Sequence, residues 1–320
     1  MKAEFVIVSG SANPKLGAAS AALLDAEMGQ CKMERFPDSE VNVQLDEPVR
    51  ERRVFIIQSS SPPVDRHVME IFAIADACRR AAASNVTWLA PYFGYARSDK
   101  RQGRHSAIMA RLLADFAERA GIDQVIAVDL HSQQVEGFFH IPVENLTAMF
   151  AITDALKPDL EPNSVIVSPD TGGVKLASAY ASRLGCPVAV LHKARLNGSR
   201  TKISKVAGEV QGRPCVIADD MISTGSTIRN AVEALIQAGA IDHFIVAATH
   251  AVFTPEARKN LNHPSIRRIL VTDSIPFPAD DWPQVRAISL APILAGAIRR
   301  SMTGESMADL CKELSHGRLT

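Results

Sequence analysis

Cys215-Val-Ile-Ala-Asp-Asp-Met-Ile-Ser-Thr-Gly-Ser-Thr227 is the stretch whose reading decides the fold. Its apolar start, Cys215 to Ala218, has the length and composition of a buried strand and runs directly into two carboxylates, Asp219 and Asp220. A loop of small residues, Ser223 to Thr227, then opens a helix that carries Ile228, Val232, Leu235 and Ile236 and stops at Gly239. Small residues let backbone N–H groups approach an anion, hydroxyls add donors, and a helix N-terminus adds roughly half a unit of positive charge. A phosphate fits this loop, and the carboxylates ahead of it suit the hydroxyls of an attached sugar. Ser and Thr also favour plain helix caps; two adjacent aspartates at the strand end tilt the reading towards a site.

The same strand-then-helix rhythm extends in both directions. Val54–Ile57, Val86–Ala90, Val125–Val128, Val165–Val167, Val188–Leu191, Phe244–Ala247 and Ile269–Val271 read as strands that are apolar throughout but for Thr87. Between them lie helical spacings: Ile71, Ala75 and Cys78 within 67–83; Ile108, Leu112 and Phe116 before Gly121; Ala177, Ala181 and Leu184 before Gly185. Wholly apolar strands separated by amphipathic helices predict an α/β fold with mostly parallel sheets covered on both faces. At 320 residues the chain suits about two domains of ~150 residues. Strand endings recur in order in both halves: Gln58-Ser-Ser60 with Ser168-Pro-Asp170, Pro91–Arg97 with His192–Arg195, and Asp129-Leu-His131 with Asp219-Asp220. Two copies of one α/β unit and two unrelated α/β domains both accommodate that pattern. In open parallel sheets ligands bind beyond the carboxyl ends of the strands, so these endings are where chemistry is sought.

Composition narrows the class. Lys+Arg and Asp+Glu are 35 each, and 47% of residues are apolar, the profile of a globular protein. Net neutrality argues against a nucleic-acid binder that works by bulk positive charge. The five cysteines, Cys31, Cys78, Cys186, Cys215 and Cys311, have no metal-finger spacing, which argues against a disulfide framework or zinc site. The N-terminus, with Glu4 beside a short apolar run, reads as a first strand, and no run approaches ~18 apolar residues. A cytoplasmic protein without membrane partners is expected.

Charge is unevenly placed. From residue 171 to 208 there is no acidic residue, while Lys175, Arg183, Lys193, Arg195, Arg200, Lys202 and Lys205 fall there. Residues 193–205, with the turn signature Asn197-Gly198-Ser199, read as a mobile basic loop that closes over a polyanion, or as a solvated basic surface. Asp129 and His131 end another buried strand, and alternation would send both to one face. Asp170 ends a third, before Gly172-Gly173. Oxygen ligands shared with phosphates are how Mg2+ is usually held. A second basic patch, Arg97–His105, follows Tyr92-Phe93-Gly94-Tyr95, aromatics that could hold a purine or pack the sheet edge.

These segments together resemble the ribose-phosphate diphosphokinases (PRPP synthetases), across nearly the whole chain. The carriers are Arg35-Phe-Pro-Asp-Ser-Glu40, Pro91–Arg97, Asp129–Phe139 with Ile141-Pro142, Val167–Val174, Lys193-Ala-Arg195 and Asp219-Asp220…Thr227. The resemblance implies two tandem domains like type I phosphoribosyltransferases, over 1–146 and 147–290, with a helical tail over 291–320. It implies ATP contacts at Phe36, Asp38, Ser39, Glu40, Arg97 and Ser98, the turn residues being given by a neighbouring subunit. It implies Mg2+ at His131 and Asp170, and catalysis by Lys193 and Arg195. It implies ribose 5-phosphate contacts at Arg195, Asp219, Asp220, Ser223, Thr224, Gly225, Ser226 and Thr227. A homo-oligomer, a hexamer built from dimers, is implied too. Ser39, Ser98, Ala194, Ser223 and Ser226 depart from the commoner bacterial pattern. The implied reaction moves the diphosphoryl group of ATP to ribose 5-phosphate, giving PRPP and AMP. Competing readings are a phosphoribosyltransferase that consumes PRPP and a non-catalytic regulatory relative.

Overall fold

The structure, a computed structural model, describes residues 4–197, 200–277 and 282–317, with only the backbone described at 193–197, 200–202 and 204. The chain divides into two compact units: residues 1–148, 274–276 and 289–320 form the first, and 149–273 with 277–288 the second.

The first unit opens with β1 (Phe5–Ser9) and α1 (Pro14–Ala22), then β2 (Cys31–Arg35), β3 (Val41–Leu45), β4 (Arg53–Ile57), α2 (Val64–Arg80), β5 (Asn85–Ala90), α3 (Met109–Ala120), β6 (Gln124–Val128) and β7 (Val143–Leu146). Among the described residues its main sheet has the order β1-β4-β5-β6-β7, every pairing parallel. The apolar runs are buried because helices cover both faces. Trp88 is fully buried on β5; its indole N–H donates to the Gln58 carbonyl at 2.8 Å, which spares the core an unsatisfied donor. β2 and β3 form a separate antiparallel hairpin whose residues alternate between half-buried and exposed, as a strand pair with one packed face should. Helix α2 lies three residues earlier than its apolar spacing predicts. It begins directly after Pro63 and ends at Arg80, where Ala82 turns to φ +60°.

The second unit contains α4 (Met149–Leu156), β8 (Val165–Ser168), α5 (Val174–Leu184), β9 (Val188–Asn197), β10 (Arg200–Ala207), β11 (Cys215–Ile222), α6 (Ser226–Gln237), β12 (Phe244–Ala251), α7 (Ala257–Leu261), β13 (Ile266–Thr272) and β14 (Val285–Ile288). Its sheet has the order β10-β9-β8-β11-β12-β13-β14, parallel except for the β10–β9 pair. Residues 193–205, read from sequence as an aperiodic loop, belong instead to this antiparallel pair. β9 runs on past Leu191 to Asn197 and returns as β10, with Lys193 opposite Ile203 and Arg195 opposite Thr201. Ile203, Val206 and Thr201 supply β-branched positions on the returning strand, and Asn-Gly is a strong two-residue hairpin signal. Gly198 and Ser199 lie outside the described residues.

The chain then ends in α8 (Ala291–Thr303) and α9 (Leu310–Ser315), both part of the first unit. Helix α8 packs on α1, and α9 lies close against Gly296 of α8, where a side-chain Cβ would sit 2.6 Å from Leu310. Buried Arg300 joins the two helices through the Glu313 carboxylate and the Ser306 carbonyl. No helix among the described residues is long and apolar enough to cross a membrane.

Candidate active site

In the second unit the order of strands reverses at one place. From β8 the chain goes sideways to β9, and later returns to the other side of β8 as β11. Crevices at such reversals, beyond the carboxyl ends of the strands, are where open α/β sheets bind ligands. β8 delivers Asp170 there and β11 delivers Asp219 and Asp220, from strands in direct register, Val165 beside Cys215 and Val167 beside Ile217. The Asp170 Oδ1 accepts the backbone N–H groups of Gly172 and Gly173, at 3.0 and 3.2 Å, which fixes the turn into α5. Asp219 Oδ1 accepts the N–H of Asp220 at 2.9 Å. Burial pushes the Asp219 carboxyl well above its ordinary value, and the neighbouring Asp220 and then Asp170 charges push the same way. Carboxylates that repel one another in this way offer acceptors to hydroxyl donors.

The loop after β11 is built for close approach. Gly225 takes φ +74° and α6 starts at Ser226. Thr224 and Ser226 share a hydrogen bond between hydroxyls at 2.9 Å, and Thr224 Oγ1 also accepts the Ser226 N–H at 3.3 Å. Short α7 braces the loop from outside. Asn260 Nδ2 donates to the Thr224 carbonyl at 2.8 Å, and Leu261 packs against Gly225. No sequence pattern pointed to Asn260; it stands 36 residues from its partner, and only the fold joins them. A Cβ on Gly225 would lie 2.8 Å from Leu261 Cγ and 3.3 Å from the Ala257 carbonyl, at a left-handed φ. Gly225→Ala is therefore expected to cost about 1–2 kcal/mol of unfolding free energy, read from a shifted denaturation midpoint.

In the first unit the residues tied by resemblance to ATP lie at two places. Phe36, Asp38, Ser39 and Glu40 form the tip between β2 and β3 and are exposed. The tip closes by Phe36 N–H to the Glu40 carbonyl at 3.0 Å and Ser39 N–H to the Phe36 carbonyl at 2.8 Å. Ser39 takes φ +76°, a left-handed conformation that glycine adopts without a Cβ penalty. Arg97 is exposed after β5. Ser98 has a structural task of its own: its Oγ accepts the Met109 N–H at 3.2 Å, satisfying a donor at the open start of α3.

His131 is exposed beyond β6. The alternation expected for Asp129 and His131 does not hold, because β6 ends at Val128 and Asp129 takes φ +42°. The Asp129 carboxylate accepts the Ala148 N–H at 3.0 Å. The side chains of Lys193 and Arg195 lie outside the described residues; their backbones belong to β9. The cysteines are all free thiols, and burial pushes Cys78 and Cys215 up to about 12, so they pack rather than react.

Two α/β units, the second with a short hydroxyl-rich loop and paired carboxylates at its switch point, define the phosphoribosyltransferase-like class. Sequence comparison resolves the member. The sequence model for the N-terminal domain of ribose phosphate pyrophosphokinase matches residues 5–121, and that of the phosphoribosyl synthetase-associated domain matches 196–312. The ribose-phosphate pyrophosphokinase of Maricaulis maris is 41% identical over 95% of this chain and 99% of its own. That of Ralstonia nicotianae is 39% identical over 96% and 98%. The crystal structure of phosphoribosylpyrophosphate synthetase from Mycobacterium smegmatis superposes with a TM-score of 0.88 at 36% identity, covering 94% of this chain and 99% of that one. The chain belongs to the ribose-phosphate pyrophosphokinase family, and its fold is that family's pair of phosphoribosyltransferase-like domains.

Proposed function

We propose that this enzyme transfers the β,γ-diphosphoryl group of ATP to the 1-hydroxyl of ribose 5-phosphate, giving PRPP and AMP for nucleotide and amino-acid biosynthesis. The observation that carries the reading is the pair Asp219–Asp220 feeding the hydroxyl-rich loop Ser223–Thr227 at the β8/β11 switch point. The 5-phosphate takes the loop's backbone N–H groups and hydroxyls at the start of α6. The ribose hydroxyls donate to Asp219 and Asp220. The 1-hydroxyl oxygen forms a bond to the β-phosphorus, the bond from that phosphorus to the AMP oxygen breaks, and the hydroxyl proton leaves to solvent. Such transfers depend on positioning and charge neutralisation.

The donor set suits magnesium. Asp170 lies in the electrostatic field it shares with Asp219, a cluster of hard oxygen donors in excess negative charge. No three His, Cys, Asp or Glu groups among the described residues form a complete cage. Magnesium is usually held by one or two carboxylates plus phosphates and water. His131 and Asp170 are the residues we assign to it. When bound, magnesium neutralises charge on the phosphates. Lys193 and Arg195 stabilise the negative charge that develops on the transferring group. Phe36, Asp38, Ser39 and Glu40, supplied by a neighbouring subunit of a hexamer, with Arg97 and Ser98, hold the adenine nucleotide.

The direct experiment combines the protein with ATP, Mg2+ and ribose 5-phosphate, with and without inorganic phosphate and ADP. AMP and PRPP are expected to form in equal amounts. ADP as the product, or no AMP in any condition, overturns the proposal.

A further inference from the structure

Glu70 is a carboxylate that the proposed chemistry does not use, yet it is one of the most heavily coordinated side chains in the first unit. It sits on α2 with 1% exposure. Its Oε2 accepts the Ser11 hydroxyl at 2.6 Å, the Ser11 N–H at 3.2 Å and Gln58 Nε2 at 2.9 Å. Its Oε1 accepts Arg35 Nη2 at 3.0 Å and Arg66 Nε at 3.4 Å. Burial alone would raise its pKa; the hydrogen bonds from Ser11 and Arg35, aided by His67, bring it below the ordinary carboxylate value. Glu70 is thus a fixed buried anion, anchored to the loops that follow β1 and β4.

Arg35 connects that anchor to the exposed tip. It is the last residue of β2, and its two terminal nitrogens point to different acceptors. Nη2 holds Glu70, while Nη1 donates to the Ser39 carbonyl at 2.9 Å. Its buried Nε donates to no group among the described residues, the cost of reaching both acceptors at once. The Ser39 carbonyl belongs to the residue at φ +76°, in the middle of the turn formed by Phe36, Asp38 and Glu40. An exposed hairpin tip has little burial to order it. One planar fork, fixed at its base by a buried carboxylate, removes that freedom.

We propose that the Arg35–Glu70 pair positions the 36–40 turn for the nucleotide, setting ATP affinity without touching ATP. The inference rests on the assignment of that turn to the nucleotide. Arg35→Lys is the informative change: a lysine can hold Glu70 or the Ser39 carbonyl but cannot span both. The test measures KM for ATP and for ribose 5-phosphate, with thermal unfolding, in the full-length Arg35→Lys, Glu70→Gln and Phe36→Ala proteins. KM for ATP is expected to rise about tenfold in Arg35→Lys, the equivalent of one charge-assisted hydrogen bond. KM for ribose 5-phosphate and the unfolding midpoint should stay near wild type. Glu70→Gln, if folded, should show the same selective rise.

The failures separate. If Phe36→Ala raises KM for ATP and Arg35→Lys does not, the positioning role is wrong and the turn assignment survives. If both KM values rise together in Arg35→Lys, the pair is only structural and the proposal is overturned. If neither Phe36→Ala nor Arg35→Lys moves KM for ATP, the turn does not bind the nucleotide, and both readings are overturned.

Discussion

Lys193→Ala is expected to lower kcat by about two to three orders of magnitude, the loss seen when one donor to developing charge is removed. KM for ribose 5-phosphate should change much less, because the proposed hold on the sugar phosphate lies with Asp219, Asp220 and the 223–227 loop. That split follows from where the charge lies. The stretch 171–208 has no acid of its own; Arg183 reaches Asp154 at 2.9 Å, and the proposed role gives Lys193 the transferring group as its anion. A group that acts on charge appearing only in the transition state affects kcat and kcat/KM alike, with little effect on ground-state binding. The measurement is steady-state AMP release with ribose 5-phosphate varied at saturating ATP and magnesium. A near-wild-type kcat overturns the assignment of Lys193. The backbone pairing of Lys193 with Ile203 also means that alanine, which keeps the N–H and carbonyl, leaves the β9–β10 ladder intact.

Asp219→Asn is expected to separate stability from activity. Burial, followed by the Asp220 and Asp170 charges, raises the Asp219 pKa in the folded protein. The folded state then binds more protons than the unfolded state, whose aspartates titrate near about 3.9. Stability contributed by this group is therefore full below about pH 4 and is lost as pH rises through the raised folded value. Asparagine carries no charge and abolishes that loss. In metal-free, substrate-free protein the unfolding temperature of Asp219→Asn at pH 7 should exceed wild type, and the difference should shrink towards pH 4. Catalysis moves the other way. Losing a charged acceptor for a sugar hydroxyl should reduce kcat/KM for ribose 5-phosphate roughly 10- to 100-fold. A variant no more stable than wild type at pH 7 would contradict the electrostatic reading. Unchanged kcat/KM would contradict the sugar contact. Both outcomes together would make the pair a preorganised site that trades stability for ligand binding.

Much of this arrangement was legible in the amino-acid order because its causes are local. Val54–Ile57 and Cys215–Ala218 are apolar without alternation, and Val86–Ala90 is interrupted only by Thr87, which points to strands covered on both faces. Gly121 and Gly185 end α3 and α5 at φ +104° and +68°, because a helix end of this kind needs a left-handed residue and glycine adopts it without a Cβ penalty. Asp219-Asp220 and the small-residue loop are contiguous, so they could be singled out before any fold was known. Where local signals compete, the reading failed. Residues 193–205 carry a turn signature but weak alternation, and only the antiparallel pairing of β9 with β10 makes them strands. His131 could not be placed by alternation, because the left-handed turn at Asp129 breaks the period.

The lateral order of the strands decided the rest. No periodicity states that β11 returns beside β8, yet that return creates the switch point and puts Asp170 in the field of Asp219. The same holds for Glu70 and Arg35, separated by 35 residues and joined at 3.0 Å, and for Asn260 under the Thr224 carbonyl. Helices α8 and α9, read from sequence as a tail with no stated partner, belong to the first unit, with α8 against α1. Periodicity tells which face of an element is buried; what that face is buried against is settled only when all the faces compete for the same core. The sequence by itself therefore determined the α/β class, most of the buried strands and the contiguous stretch proposed to hold the sugar phosphate. The tertiary structure decided which strand ends meet, and which buried charges hold the exposed turns in place.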